Sequence, residues 1–353
     1  MTIHHRPIGE RVDWLLELAR RHTTDFRSPE AYLARERYRT LHPTAIVVLK
    51  CMDGRINIPV VTNTPLGIIQ PFRNLGGMFD LGWPHLGEVL ASHVQRMVTE
   101  GRRVLIIITY HFSRGSTQRG CAGFDYNTEA AMTHTHSIKY QAEQIFGKGH
   151  ATVYPIICGF ETDEDALLLH GKNDELLDLS TITAEQIPSI NQQISNLYPD
   201  MPEQMRDDLS PLLIGNLEWI SHVRSTSRQI EISHREWMIC LGRGFDFLHT
   251  PNLALIIGPY SPDLADPIRK AAGIIEANMN AGRIPDDGFL LFASTPYEEI
   301  GIDQARADLK SHFLAEYAAD VIRSDFPNLA EKMHSLTAII SWRSRELNIL
   351  QQN

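Results

Sequence analysis

Ala45-Ile46-Val47-Val48-Leu49-Lys50-Cys51-Met52-Asp53-Gly54-Arg55 decides how the chain folds. Its opening residues form a short apolar, β-branched run, the pattern of a buried strand, and Cys51 closes that strand at its carboxyl end. A second run, Val104-Leu105-Ile106-Ile107-Ile108-Thr109, ends just before His111. Ligands of open parallel α/β sheets bind outside the carboxyl ends of the strands, so Cys51 and His111 are expected at one edge. Cys121 follows in Arg119-Gly120-Cys121-Ala122-Gly123, a loop with enough glycine to fold back onto that edge. Two thiols and an imidazole suit zinc(II), and three protein ligands leave a fourth tetrahedral position open, as in catalytic sites.

At these residues the sequence resembles the β-class carbonic anhydrases, whose pattern is Cys-x-Asp-x-Arg on one strand with a His and a second Cys after a later one. Phe72-Arg73-Asn74-Leu75-Gly76-Gly77 resembles that family's Arg-Asn-Ala-Gly segment, and Gly87-Glu88-Val89-Leu90-Ala91-Ser92 the start of its next helix. The likeness runs from about residue 42 to residue 172. Two departures stand out. His111 and Cys121 are ten positions apart where the family has His-x-x-Cys, which makes Phe112 to Gly120 an insertion. A longer gap also occurs in the carboxysome shell carbonic anhydrases. His42 stands nine residues before Cys51, where many members carry a substrate-binding Gln. His42 is therefore expected to contact substrate, with a charge that depends on pH.

The resemblance implies zinc on Cys51, His111 and Cys121, with Asp53 orienting a metal-bound hydroxide and Arg55 holding Asp53 off the metal. A guanidinium does this in a bidentate way that Lys does not match. Gly115, Ser116, Thr117 and Gln118 predict a mobile inserted loop, on which Arg114 and Arg119 are candidates for binding bicarbonate. Arg73 and Asn74 read as supports of the glycine turn. His134 and His136 have a His-x-His spacing, but on a helix the two imidazoles point to different faces. Cys158 reads as a core thiol.

At 353 residues and 43% hydrophobic, the chain can bury a large core, and its length suggests two domains. Four cysteines do not make a disulfide framework at this size. The amino terminus shows no apolar h-region and no stretch approaches the roughly 20 apolar residues of a membrane span, so a soluble, cytoplasmic protein is expected. A formal charge of −10 argues against nucleic acid as a partner.

The second half repeats the first in outline. Glu236-Trp237-Met238-Ile239-Cys240-Leu241-Gly242-Arg243 resembles the strand ending in Cys51, with Cys240 standing 189 positions after Cys51. The junction Ala281-Gly282-Arg283 parallels Glu100-Gly101-Arg102 at an offset of 181. Gly242 then falls where Asp53 falls, Tyr297 or a neighbour where His111 falls, and no Cys follows Cys240, so one zinc per chain is expected. The predicted architecture is α/β: two β-carbonic-anhydrase-like halves, each a mostly parallel sheet flanked by helices, the second degenerate. Residues 1–43 are read as a helical arm, 44–175 as the zinc-binding domain, 176–235 as a helical linker and 236–353 as the metal-free repeat. The expected activity is zinc-dependent reversible hydration of CO2 to bicarbonate, in a homo-oligomer as in the family. Hydrolysis of carbonyl sulfide or carbon disulfide, or a non-catalytic zinc scaffold or bicarbonate sensor, are the alternatives.

Overall fold

Every residue of Ala45–Cys51 is buried, as a strand covered on both faces must be. In the computed structural model, which describes residues 2–147, 151–172, 175–226, 234–248 and 250–352, this strand is central to the first of two sheets. In chain order the elements are α1 (Ile8–Arg27), α2 (Pro29–Leu41), β1 (Ala45–Cys51), the single turn α3 (Ile58–Val61), β2 (Ile69–Asn74), α4 (Pro84–Thr99), β3 (Val104–Phe112) and α5 (Thr128–Phe146). Then come β4 (Val153–Glu161), β5 (Ala166–His170), β6 (Leu176–Asp178), α6 (Ile190–Leu197) and α7 (Glu203–Ser225). The rest is β7 (Met238–Gly242), β8 (Ala254–Ile257), α8 (Ala265–Asn280), β9 (Phe289–Tyr297), α9 (Ile302–Asp325), the turn α10 (Pro327–Ala330), β10 (Met333–Ser341) and β11 (Leu347–Gln352).

The first sheet has the order β2-β1-β3-β4-β5-β6 and the second β8-β7-β9-β10-β11. Each is parallel through its first four strands and turns antiparallel at the fifth, β5 in one and β11 in the other. Strand for strand, β7 to β11 retrace β1 to β5. The chain is thus α/β with two halves on one plan, as the repeated Gly-Arg junctions predict.

Strand register corrects one detail of that repeat. Leu49 pairs with Ile108, the fifth residue of β3, and Leu241 pairs with Ala293, the fifth residue of β9. Counting on from these pairs, Cys240 occupies the place of Val48, and Arg243 the place of Cys51. Pro296 occupies the place of His111. The second half therefore offers neither thiol nor imidazole at these positions.

The compact units do not follow the predicted boundaries. The first sheet belongs to a unit made of Leu33–Cys51 and Ile56–Ile232, the second to one made of Met1–Tyr32, Met52–Arg55 and Ser233–Asn353. The expected linker is built into the first unit: buried Asn216 of α7 accepts from Leu167 N (3.0 Å) and donates to the carbonyls of Val61 (3.1 Å) and Asp165 (2.9 Å). Asp208 of the same helix accepts from Thr44 N at 2.8 Å. Such buried backbone groups need partners, and a polar helix supplies them. The expected arm divides. α1 packs into the second unit, where buried Arg11 pairs with Asp287, donates to the Gly288 carbonyl and lies over the Trp237 ring.

Candidate metal centre

Cys51 ends β1, His111 is the penultimate residue of β3, and Cys121 precedes the helical turn Ala122–Phe124. Their relative exposures are 5%, 1% and 3%, and their ligand atoms lie within 4.8 Å of one another. Tetrahedral zinc with Zn–S of about 2.3 Å places two sulfurs about 3.8 Å apart, so the donor set and its spacing fit that ion. Burial pushes the Cys51 thiol well up from its ordinary pKa, the neighbouring Cys121 adds to this, and His111 opposes it. Thiolates gathered in an apolar interior call for a cation.

Glycine brings Cys121 into place. Gly77, with φ +68°, sits so close to the ends of β1 and β3 that a Cβ on it would stand 3.2 Å from Thr109 O and 3.3 Å from Cys51 N. A Cβ on Gly123 would stand 2.7 Å from the Gly76 Cα. The turn after β2 and the Cys121 loop thus pack backbone on backbone, which leaves the thiol at the sheet edge. Asn74 supports that turn by donating to Met78 O at 2.7 Å. The Phe79 amide donates to His134 Nε2 at 3.2 Å, while exposed His136 lies edge-on to His170, so the His-x-His pair does serve different faces.

Asp53 and Arg55 form the expected dyad. Asp53 accepts from the Arg55 amide at 2.8 Å, from Nε at 3.0 and 3.2 Å, and from Nη2 at 2.6 Å. The Asp53 side chain is buried and that of Arg55 is 9% exposed. The segment that carries them runs beside the second sheet: Ile256 N donates to Met52 O (3.0 Å) and Asn252 N to Gly54 O (3.1 Å).

Three substrate-binding expectations meet a different arrangement. His42 lies before the amino end of β1, the end opposite Cys51, where its ring packs at a tilt against Tyr38 and its Nδ1 stands 3.3 Å from Asp208. A seven-residue strand spans about 20 Å, which keeps His42 from the metal ligands of its own unit. Arg114 is paired with Asp178 and donates to Ser180 Oγ at 2.6 Å, and Arg119 donates to Asp163 at 2.8 Å. Nor is their loop loose. Asp163 also accepts from Ser113 Oγ at 2.9 Å and from Gly115 N at 2.7 Å, and Glu161 accepts from Arg114 N at 3.2 Å.

Sequence reading missed a second cluster, in which atoms of Asp53, His234 and Glu236 also lie within 4.8 Å of one another. Both carboxylates already accept from a nitrogen group, Asp53 from Arg55 and Glu236 from His234 Nδ1, so this is a hydrogen-bonded network rather than a ligand set. The signal was His234-Arg235-Glu236 just ahead of a strand, with nothing in the sequence to tie it to Asp53.

Residues 31–186 match the family model described as the carboxysome shell carbonic anhydrase catalytic domain. A solved structure titled as that of the β-carbonic anhydrase CcaA is similar at 13% identity and a TM-score of 0.34, over 48% of this chain and 92% of that one. No curated protein matches the chain in sequence. Among the described residues no helix is long and apolar enough to cross a membrane. The likeness to the carboxysome shell carbonic anhydrase catalytic domain thus covers the part of the chain that forms the first sheet, residues 31–186, and leaves the second sheet outside it.

Proposed function

We propose that the chain is a carbonic anhydrase, a zinc enzyme that interconverts CO2 and bicarbonate. The observation that carries this reading is the buried Cys51, His111 and Cys121 cluster with the Asp53–Arg55 dyad starting two residues later. The family match over residues 31–186 supports it. Zinc, when bound, supplies a water whose pKa falls from about 15.7 to about 7, the value known for carbonic anhydrase zinc, and so a nucleophile for CO2 near neutral pH. Arg55 holds the Asp53 carboxylate turned one way, because its hydrogen bonds reach both carboxylate oxygens. So engaged, Asp53 serves as an acceptor that orients a reacting water rather than as a fourth metal ligand. Arg114 and Arg119 are committed to Asp178 and Asp163, which leaves them to hold the loop. A homo-oligomer and a cytoplasmic setting accompany this reading as proposals.

The test is stopped-flow CO2 hydration at neutral and mildly alkaline pH, on protein whose zinc content is measured in the same preparation. Activity with stoichiometric zinc supports the proposal. Full zinc with no hydration at either pH removes it and turns attention to carbonyl sulfide, carbon disulfide or a non-catalytic role.

A further inference from the structure

α9 is apolar on two faces. One is buried against β9 and β10 of its own unit, through Ala307, Ser311, Leu314, Ala318 and Ile322. The other carries larger side chains and is bare: Ile302 is 82% exposed, Leu309 72% and Phe313 63%, and Phe313 stacks on Tyr317 with ring centroids 6.0 Å apart. A surface helix turns its apolar stripe to the core and its polar side to water, whereas a helix apolar all round is covered all round. Single exposed apolar residues are ordinary, but a row of them on one helix face marks a contact surface.

The charges along the row say what covers it. Arg306, Leu309, Phe313, Tyr317 and Asp320 follow one another at steps of three, four, four and three residues, so they share one face and read alike from either end. A second α9 laid antiparallel, with Phe313 on the twofold axis, brings Leu309 beside Tyr317 of the partner subunit and Arg306 beside Asp320 of the partner subunit. Each contact then occurs twice, as a self-complementary twofold interface requires. Arg306 has no ion pair among the described residues. Asp320 meets Arg323 of its own helix at 2.9 Å, an exposed pair that is worth little and yields readily. A lipid surface would ask for basic residues along the whole face, and Glu316 and Asp320 in its carboxyl half oppose that.

We propose that the outer face of α9 is a homodimer interface, in which two copies of the chain pack this helix antiparallel about a twofold axis at Phe313. The homo-oligomer implied by the family resemblance came with no surface; α9 supplies one. Such a dimer stands or falls apart from the activity proposed above, since it is read as mass rather than turnover.

The experiment is sedimentation velocity on the full, zinc-loaded chain over a range of micromolar concentrations. Wild type is expected as a dimer. Phe313→Asp is expected to weaken it at least about 30-fold, the lower bound for an aromatic hot spot at the centre of an interface, and so to give the mass of a monomer. Far-ultraviolet circular dichroism checks that the exposed substitution leaves the fold intact. The pairing itself is tested by exchanging charges. Arg306→Asp alone sets two acids together and Asp320→Arg alone sets two bases together, so each is expected to weaken the dimer about 10-fold, and the double exchange to restore it. Phe313→Cys is expected to cross-link to its symmetry mate under mild oxidation, and the four native cysteines are all buried. A wild type that is monomeric throughout overturns the proposal in favour of another occupant of the face. A dimer indifferent to Phe313→Asp overturns it by placing the contact elsewhere, and a dimer that the double exchange fails to restore overturns the antiparallel pairing.

Discussion

Gly54 faces the backbone carbonyl of Ala254 so closely that a Cβ on it would stand 2.6 Å from that oxygen. The glycine between Asp53 and Arg55 is thus the point at which the dyad segment meets the second sheet. Gly54→Ala must push the segment away, since a carbonyl on a sheet strand cannot yield as a flexible side chain does. Zinc content is expected to hold while hydration falls, because the ligands lie outside the displaced segment. Metal analysis beside stopped-flow rates checks this, and equal rates would show that the segment relaxes without consequence.

Cys121→Ser is expected to release the metal. An outer hydrogen-bond partner is worth about 10–100-fold in metal affinity, and a lost thiolate ligand exceeds that. Competition with a chromogenic chelator measures the change, and wild-type affinity in the variant would remove Cys121 from the ligand set.

Arg55→Lys keeps the charge and loses the fork. Hydrogen bonds to charged groups are worth about 1.5–3 kcal/mol, so loss of the bidentate grip is expected to slow hydration about 10- to 100-fold with zinc retained. Rates on metal-replete variant decide it.

Asp163 organises the inserted loop. Burial alone pushes its carboxyl up, but the Gly115 amide, Arg119 and Ser113 together hold it below the usual range. A depressed carboxylate contributes stability above its unfolded pKa and loses it as pH falls below about 4. Asp163→Ala is expected to open the loop at neutral pH, read as faster tryptic cleavage after Arg114 and Arg119. Unchanged cleavage would mean that Glu161 and Asp178 suffice.

His170 is pulled down to about 4, by burial first and by His136 second, and its Nε2 lies 2.8 Å from the Tyr110 hydroxyl. The fold prefers this ring neutral, so its contribution is intact above about pH 6.5 and is lost as pH falls towards 4. Because the ring is partly exposed, the loss is discounted to about 1–2 kcal/mol. Urea denaturation across that range is expected to show a flatter pH dependence for His170→Gln than for wild type.

What could be read in the sequence was what repeats locally. Cys51 and His111 stand at the ends of β-branched runs, and the strands put them where such runs end. The repeat was visible in its Gly-Arg junctions, where Gly101 and Gly282 both have positive φ. Its fine alignment was not, because matching Cys240 to Cys51 by residue type overrode the hydrogen-bond register. The placement of α7 was hidden for a related reason: Asn216 and Asp208 look like solvent-facing positions until the backbone groups they satisfy are known. His42 was assigned by counting along a strand whose two ends lie far apart. His234 and Glu236 reach Asp53 from the other end of the chain, a proximity that no local pattern encodes.

The contact of Arg11 with Asp287 spans 276 positions. During synthesis at about 5–20 residues per second, α1 emerges some tens of seconds before the strands it packs against. Its apolar face waits through the making of the entire first sheet. Nascent chains stalled before β9 therefore present a long amphipathic helix to chaperones, and a ribosome that falls off early releases a protein with its first helix undocked.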